Sequence, residues 1–246
     1  MCMVQLTFIL GADRVVIYEW NTSAKTHALV QHYAGRCRDE SWPCRVDVID
    51  WRLPDSVSGN IWYNGQSVAI QDCLYRQMAS SRYVVFSDID EFIVPHGLAN
   101  WTDLARTLAR PLGVGFQFLS AFFDPSASAP AQPPPVDDDV PLTKPDLMTM
   151  RSTQRSRHFS SIRTKCMVRP YEIFEAGIHH ISKPIWAHLG VDRVDTQVGF
   201  VHHYRKCFDM YGMNCAGVVN DSTVQRYFHQ LDKSVAGAWK ELVDIL

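Results

Sequence analysis

Runs of apolar residues divide the first half of the chain into alternating strands and helices. Residues 14–18 and 82–87 are short and largely apolar, as in buried strands, and residues 45–51 alternate between apolar and polar positions. Residues 24–33 and 68–80 instead carry apolar side chains at helical spacing. Strands and helices in this order predict parallel pairing through right-handed crossovers, and therefore an α/β fold.

The rest of the chain continues this pattern around one segment of different composition. Residues 125–146 are rich in Pro, Ala, Ser and Asp. Such a segment cannot offset the entropy of ordering by burial, so it predicts a mobile surface loop. Loops of this kind often flank the substrate in α/β enzymes, although an insertion without a role has the same composition. The other predicted elements are helices at residues 2–10, 101–109 and 225–246, and strands at residues 114–123, 160–170, 177–181 and 198–207.

Composition narrows the class of protein without selecting one. The 246 residues, 46% of them apolar, are enough for a core, and we interpret residues 1–246 as a single domain. A net charge of −2 disfavours nucleic acid as a partner, and no apolar run has the length of a membrane span. The seven cysteines contain no CxxC pair; Cys37 and Cys44 are close enough in sequence to form a disulfide, or are free thiols.

The stretch YVVFSDIDEFIVP, residues 83–95, places three carboxylates between two apolar runs. Carboxylates that are buried require a cation nearby, because an unpaired charge is costly to desolvate. In an extended chain Asp88 and Asp90 point to the same face at the end of a strand, where ligands bind in open α/β sheets. Oxygen ligands suit Mg²⁺ or Mn²⁺, which commonly bridge carboxylates to phosphates. We therefore predict a divalent metal that holds a diphosphate.

Two classes of enzyme place paired aspartates after a strand. Phosphatases of the haloacid-dehalogenase type carry a Thr or Val two positions after the second aspartate, close to the start of the chain. Here that position is Phe92, and a complete strand–helix unit comes first. Nucleotide-sugar glycosyltransferases of the GT-A type instead place the pair after a helix and a strand, as in this sequence.

Four segments together resemble glycosyltransferase family 92, the DUF23-type enzymes. The central one is VAIQDCLYRQMASSRYVVFSDIDEFIVP, residues 68–95, which is similar to the family's helix followed by its DxDEF motif. LGADRVVIYEWNTSAKT at residues 10–26, RTKCMVRPYEIFEAGIHHI at 163–181 and HHYRKC at 202–207 resemble further blocks of the family. The resemblance covers most of residues 6–210.

The resemblance implies a GT-A-like α/β fold, with a mixed and mostly parallel sheet flanked by helices. It implies a divalent metal cofactor, usually Mn²⁺, a UDP-sugar donor and an inverting transfer, typically of galactose, to a glycan acceptor. Members of the family resemble type II membrane proteins of the Golgi, so we expect a lumenal domain anchored by a segment outside this sequence.

Site residues follow from the resemblance and from position. Asp88, Asp90 and His203 are the expected metal ligands, with His202 on the opposite strand face and His179 as a further ligand or acceptor contact. The expected sugar-donor contacts are Glu19, Asn21, Asp72, Arg76, Arg205 and Lys206. The candidates for catalytic roles, including the general base, are Asp90, Glu91, Asp124 and Glu172, with Glu175 as a further possibility.

Several of these residues have simpler explanations. Asp72 and Arg76 have the spacing of an ordinary i,i+4 ion pair on a helix, and Arg205 and Lys206 fit a solvated basic edge. Glu91 either holds a metal ligand in place, orients the acceptor or forms a salt bridge. Gln71 stands where the family favours Asn, which weakens the expected contact there.

Two departures from the family pattern favour an alternative function. The sequence begins within a helix, without the strand that opens a GT-A sheet, and it has no acidic residue near Ala24. We therefore expect the chain to bind UDP weakly. The alternative is a degenerate glycosyltransferase that retains the fold and binds glycans without catalysis.

Overall fold

The computed structural model describes residues 1–36, 45–58, 60–128, 145–208 and 214–243 as helices, strands and connecting turns. The α-helices are α1 (Cys2–Ile9), α2 (Ala24–Arg36), α3 (Asp55–Ser58), α4 (Gln66–Gln77), α5 (Trp101–Leu108), α6 (Met148–Arg151) and α7 (Phe228–Leu242). The strands are β1 (Arg14–Glu19), β2 (Arg45–Asp50), β3 (Val84–Val85), β4 (Glu91–Pro95), β5 (Gly113–Phe122), β6 (Gln154–Ser156), β7 (Ser160–Val168), β8 (Ile173–Ala176), β9 (Ile181–Pro184), β10 (Gly190–Arg193), β11 (Gly199–His203) and β12 (Val218–Asn220).

The largest sheet is mixed, which confirms the α/β class. Its strands are ordered β3-β7-β5-β11-β4, and β10 also pairs with β5. The predicted parallel pairing holds for β1–β2, β5–β10 and β5–β11, whereas β3–β7, β5–β7 and β4–β11 are antiparallel. The prediction of a mostly parallel sheet is therefore corrected. The alternation of strands and helices predicts pairing only for strands that follow one another, and here β7 and β11 insert between earlier strands.

Helices cover both faces of this sheet at β4 and bury it on both sides. All five residues of β4 are buried, and alternate side chains enter different apolar clusters. Phe92 packs in a cluster that includes Leu6 of α1 and Leu231 of α7. Ile93 packs in a second cluster that includes Leu104 of α5. Because both faces of β4 are buried, its sequence is an almost continuous run of apolar residues.

Several predicted elements have different limits or a different character. The strand predicted at residues 82–87 is only Val84–Val85, and the strand predicted at 177–181 is largely a turn that leads into β9. The segment predicted as a strand at 198–207 contains the buried β11, which lies between β4 and β5. The side chains of His202 and His203 are therefore enclosed, whereas Arg205 and Lys206 beyond the strand are exposed.

Two expectations fall wholly or mainly outside the described residues. Of the predicted loop at 125–146, the structure describes the 3₁₀ turn Pro125–Ser128 and residues 145–146. The proposed pairing of Cys37 with Cys44 also lies outside the described residues. A disulfide joins Cys207 to Cys215, after β11. None of the helices within the described ranges combines the length and apolar character that a membrane crossing requires.

Two glycines are expected to respond oppositely to replacement by alanine. A Cβ on Gly237, in the middle of α7, meets no atom within 4 Å, so Gly237→Ala should raise the free energy of unfolding by about 0.5–1 kcal/mol. A Cβ on Gly115 would lie 2.5 Å from the carbonyl oxygen of Met167, so Gly115→Ala should lower it by about 1–3 kcal/mol. Urea denaturation of both variants measures the difference; a stabilised Gly115→Ala protein would contradict the packing of β5 against β7.

Candidate functional site

The paired aspartates lie in a tight turn between β3 and β4. The backbone N–H of Glu91 donates to the carbonyl of Asp88 at 3.2 Å, and the N–H of Asp88 donates to Oε2 of Glu91 at 3.0 Å. The expectation of an extended chain that directs Asp88 and Asp90 to one face is therefore corrected. A turn rotates successive side chains, so the two carboxylates contact different partners.

A lysine that the sequence analysis did not select neutralises this acidic turn. Lys165, in the middle of β7, places its Nζ 2.7 Å from Oε2 of Glu91 and 3.4 Å from Oδ2 of Asp88. Its side chain is 2% exposed and that of Glu91 is fully buried. The cation that buried carboxylates require is thus partly supplied by the chain itself. The sequence feature that could have identified Lys165 is its place inside the largely apolar run TKCMV, since a lysine is rarely buried without a partner.

His203 faces the same turn from the end of β11. Its Nε2 lies 3.6 Å from Oδ2 of Asp90, and its Nδ1 lies 3.4 Å from Oε1 of Glu91. The interaction with His203 holds the pKa of Asp90 below its usual range, although burial alone would raise it. The antiparallel register of β11 and β4 pairs His203 with Glu91 directly, which fixes the imidazole beside the carboxylates.

Asp90 and His203 at this turn are close enough to share a divalent cation. Two ligands of one ion, each at about 2.1 Å, lie at most about 4.2 Å apart, and the Asp90–His203 separation is below that limit. His203 Nδ1 and Glu91 Oε1 are buried atoms without a hydrogen bond. Asp88 accepts from Gln66 at 2.9 Å and from Lys165, which leaves lone pairs on its oxygens for a metal.

The remaining candidates for catalysis lie in different places. Asp124 lies two residues after Phe122, the last residue of β5, and Phe122 pairs with His203. Oδ1 of Asp124 accepts hydrogen bonds from the N–H and the hydroxyl of Ser126. It therefore lies at the same end of the sheet as the acidic turn. Glu172 lies beyond the opposite end of β7, 3.7 Å from Arg169, and the exposed Glu175 belongs to β8.

Of the predicted sugar-donor residues near the end of β1, Glu19 lies in a local network of hydrogen bonds. Glu19 accepts from the hydroxyl of Thr22 at 2.6 Å and contacts His27 at 3.0 Å, and the hydrogen bond from Thr22 is the main cause of its lowered pKa. Asn21 is exposed and has a left-handed backbone, with φ of 49°. The expected contacts of both residues with uridine stay predictions.

Asp72 of α4 is held by two partners that also connect it to β1. Its Oδ2 accepts from Arg76 and from the hydroxyl of Tyr18, both at 2.6 Å. Arg76, and then Tyr18, hold the pKa of Asp72 below its usual value. The i,i+4 ion pair considered as an alternative is therefore present, and it leaves the proposed contact with the sugar donor untested.

Other predicted residues border the acidic turn or the neighbouring strands. Arg205 and Lys206 are exposed immediately after β11, and the guanidinium of Arg205 lies 5.9 Å from the ring centroid of Phe208. Burial lowers the pKa of His179 to about 4, and its Nδ1 lies 3.1 Å from the carbonyl oxygen of Thr164. Gln71 bonds the backbone of Ala176, so α4 is fixed to β8 at this position.

His202 faces the other side of the sheet, as expected from strand alternation. Its Nε2 lies 3.4 Å from that of His96, and both rings approach Asp221 closely enough for the three to share a metal ion. Asp221, however, already accepts from Arg155 at 3.1 Å. Burial lowers the pKa of His202 to about 3, which keeps the imidazole neutral in a polar network beneath the site.

Comparison with known proteins provides a family and one relative. The sequence model of glycosyltransferase family 92 matches residues 1–235. Over an alignment of 205 residues the chain is 26% identical to beta-1,4-galactosyltransferase galt-1 of Caenorhabditis elegans. The alignment covers 82% of this chain and 43% of that protein. The chain thus spans less than half the length of this curated relative.

Proposed function

Since the chain belongs to glycosyltransferase family 92, as its motifs predict, we propose that it transfers a sugar from a UDP-sugar to a glycan acceptor. The observation that carries this proposal is the meeting of Asp90, Glu91 and His203, with buried Lys165 beside them, at one end of the sheet. Galactose is the proposed sugar, because the relative in Caenorhabditis elegans is a beta-1,4-galactosyltransferase.

Asp88, Asp90 and His203 would hold the metal, for which Mn²⁺ is the proposed ion. When bound, a divalent cation neutralises the diphosphate of the sugar donor and the charge that develops as UDP leaves. Glu91 does not contact substrate in this scheme: it is fully buried, and its pairing with Lys165 and His203 positions the imidazole. Lys165 offsets the repulsion between buried Glu91 and the partly exposed Asp88.

The transfer requires a base that takes the proton of the acceptor hydroxyl. It also requires positive charge beside the departing UDP. We assign Asp124 as the base because it lies at the same end of the sheet as the acidic turn and is neither a proposed metal ligand nor paired with Lys165. In an inverting transfer the acceptor oxygen bonds the anomeric carbon, the bond from that carbon to the diphosphate breaks, and Asp124 takes the acceptor proton. Exposed Arg205 and Lys206 are placed to stabilise the departing UDP.

The secretory pathway is the proposed location. Members of the family act on glycans that are built in that pathway, and the disulfide between Cys207 and Cys215 suits an oxidising compartment. The proposed partners are therefore a UDP-sugar and a lumenal glycan.

Transfer can be tested directly with the purified chain. We expect UDP release and the addition of a hexose to glycans released from secreted glycoproteins when UDP-galactose and Mn²⁺ are present, and loss of both with EDTA. Because weak UDP binding is expected, the sugar donor should be supplied at millimolar concentration. UDP-glucose is the matched control for sugar identity. Glycan binding without any gain of mass would instead support the degenerate, non-catalytic alternative, and release of inorganic phosphate would favour a phosphatase.

A further inference from the structure

A short turn beside the acidic site presents two large aromatic side chains to solvent. The 3₁₀ turn Trp62–Gly65 immediately precedes α4, and its Trp62 and Tyr63 are 76% and 67% exposed. Their ring centroids are 5.1 Å apart and the ring planes are inclined at 54°. Large aromatic side chains are usually at least half buried, so two adjacent exposed rings form an apolar surface that requires an explanation.

The backbone of this turn is held in a conformation that tyrosine disfavours. Tyr63 and Asn64 have φ of 46° and 53°, in the left-handed region, and Gly65 continues it with φ of 76°. The indole N–H of Trp51 donates to the carbonyl of Asn64 at 3.1 Å and helps to fix the turn. Strained residues of this type cluster at ligand sites, where the surrounding structure maintains an otherwise unfavourable geometry.

The turn is connected directly to the proposed transfer site. Gln66, the first residue of α4, donates to Oδ1 of Asp88 at 2.9 Å. Ile89, between the two aspartates, is 77% exposed and adds a further apolar side chain. Exposed apolar groups therefore border the acidic turn, at the position that a second substrate would approach.

We propose that Trp62 and Tyr63 form a stacking platform for a pyranose ring of the glycan acceptor. This inference rests on the proposed function. The C–H groups on one face of a pyranose carry partial positive charge, which complements the electron-rich face of an aromatic ring. Both rings are exposed, so the face of either ring is accessible to a sugar that enters from solvent.

The uracil of the sugar donor could also stack on an aromatic ring, but its recognition requires polar groups at the ring edge. The predicted contacts with uridine are instead Glu19 and Asn21, at and just after the end of β1. The acceptor sugar is therefore the assigned occupant, and the two sources can be separated by kinetics.

The test compares Trp62→Ala and Tyr63→Asn with Trp186→Ala, which removes an indole that is 62% exposed elsewhere. For each protein we would measure KM for released glycans and KM for UDP-galactose. We expect the acceptor KM to rise about tenfold or more in the first two variants, with the UDP-galactose KM unchanged. Tyr63→Asn should also have a higher urea midpoint than the wild type, because asparagine tolerates left-handed backbone.

A second readout does not depend on catalysis. Saturation-transfer difference NMR with the same glycan mixture, without UDP-galactose, should show signals for wild type and Trp186→Ala that are lost in Trp62→Ala. Equal signals in all three proteins, no signal with the wild type, or a kinetic effect confined to UDP-galactose would each overturn the platform. Glycan signals without transfer would leave the platform standing and reject the proposed enzymatic function.

Discussion

The Asp90→Asn variant is expected to lose at least about 100-fold in kcat/KM for galactosyl transfer, which corresponds to roughly 3 kcal/mol of transition-state stabilisation. Asn retains the shape of Asp90 but removes the charge that faces His203 at 3.6 Å and that would bind the metal. The stability cost should be small, below about 1 kcal/mol, because the Asp90 side chain is 35% exposed.

The matched control is Asp103→Asn. Asp103 of α5 is 36% exposed and pairs with Arg106 at 3.0 Å, so it has nearly the same exposure and also one ion pair, but it lies outside the site. Transfer and Mn²⁺-dependent UDP binding, followed by calorimetry, should be unchanged in this control and lost in Asp90→Asn. Equal transfer rates in the two variants would show that Asp90 does not bind the metal.

Replacing Lys165 by methionine should produce the largest loss of stability, about 3–5 kcal/mol in the free energy of unfolding. Methionine matches the length of the lysine stem but leaves Glu91 as a fully buried carboxylate without its 2.7 Å partner. Asp88, 3.4 Å from the same ammonium, loses a second interaction. The penalty arises from the uncompensated charge rather than from lost packing.

The double variant Lys165→Met, Glu91→Gln distinguishes charge from packing. Removing both charges should restore most of the stability, so a double-mutant cycle in urea should give a large favourable coupling energy. Lys183→Met serves as a control. Lys183 is exposed, and its ammonium forms a cation–π contact with the ring of Phe174. A loss below about 1 kcal/mol in Lys165→Met would contradict a charged Glu91 in the folded protein.

The local elements were largely predictable because their signals lie in neighbouring residues. Helical spacing located α2 and α4, and apolar runs located β1 and β5, each within a few residues. The i,i+4 spacing of Asp72 and Arg76 also predicted their ion pair. These features depend on the period of a helix or strand, which a short segment determines by itself.

The composition of the site was only partly predictable. The motif pointed to Asp88, Asp90 and His203 and called for a cation near the buried carboxylates, but the cation found in the structure is Lys165, which was not selected. Lys165 is 77 residues from Asp88 along the chain, and the two meet only because β3 pairs with β7. No local pattern encodes that pairing.

The sequence by itself determined most of the helices and strands, the acidic motif and the family of the chain, since each is encoded in contiguous residues. Only the tertiary structure decided which strands pair and in which direction. It also decided that Asp88 turns toward Lys165 while Asp90 faces His203. Finally, it placed Asp124 rather than Glu172 at the end of the sheet that carries the acidic turn. The physical reason is that charge neutralisation and strand register are set by contacts between distant segments, whose free energies depend on how the whole core packs.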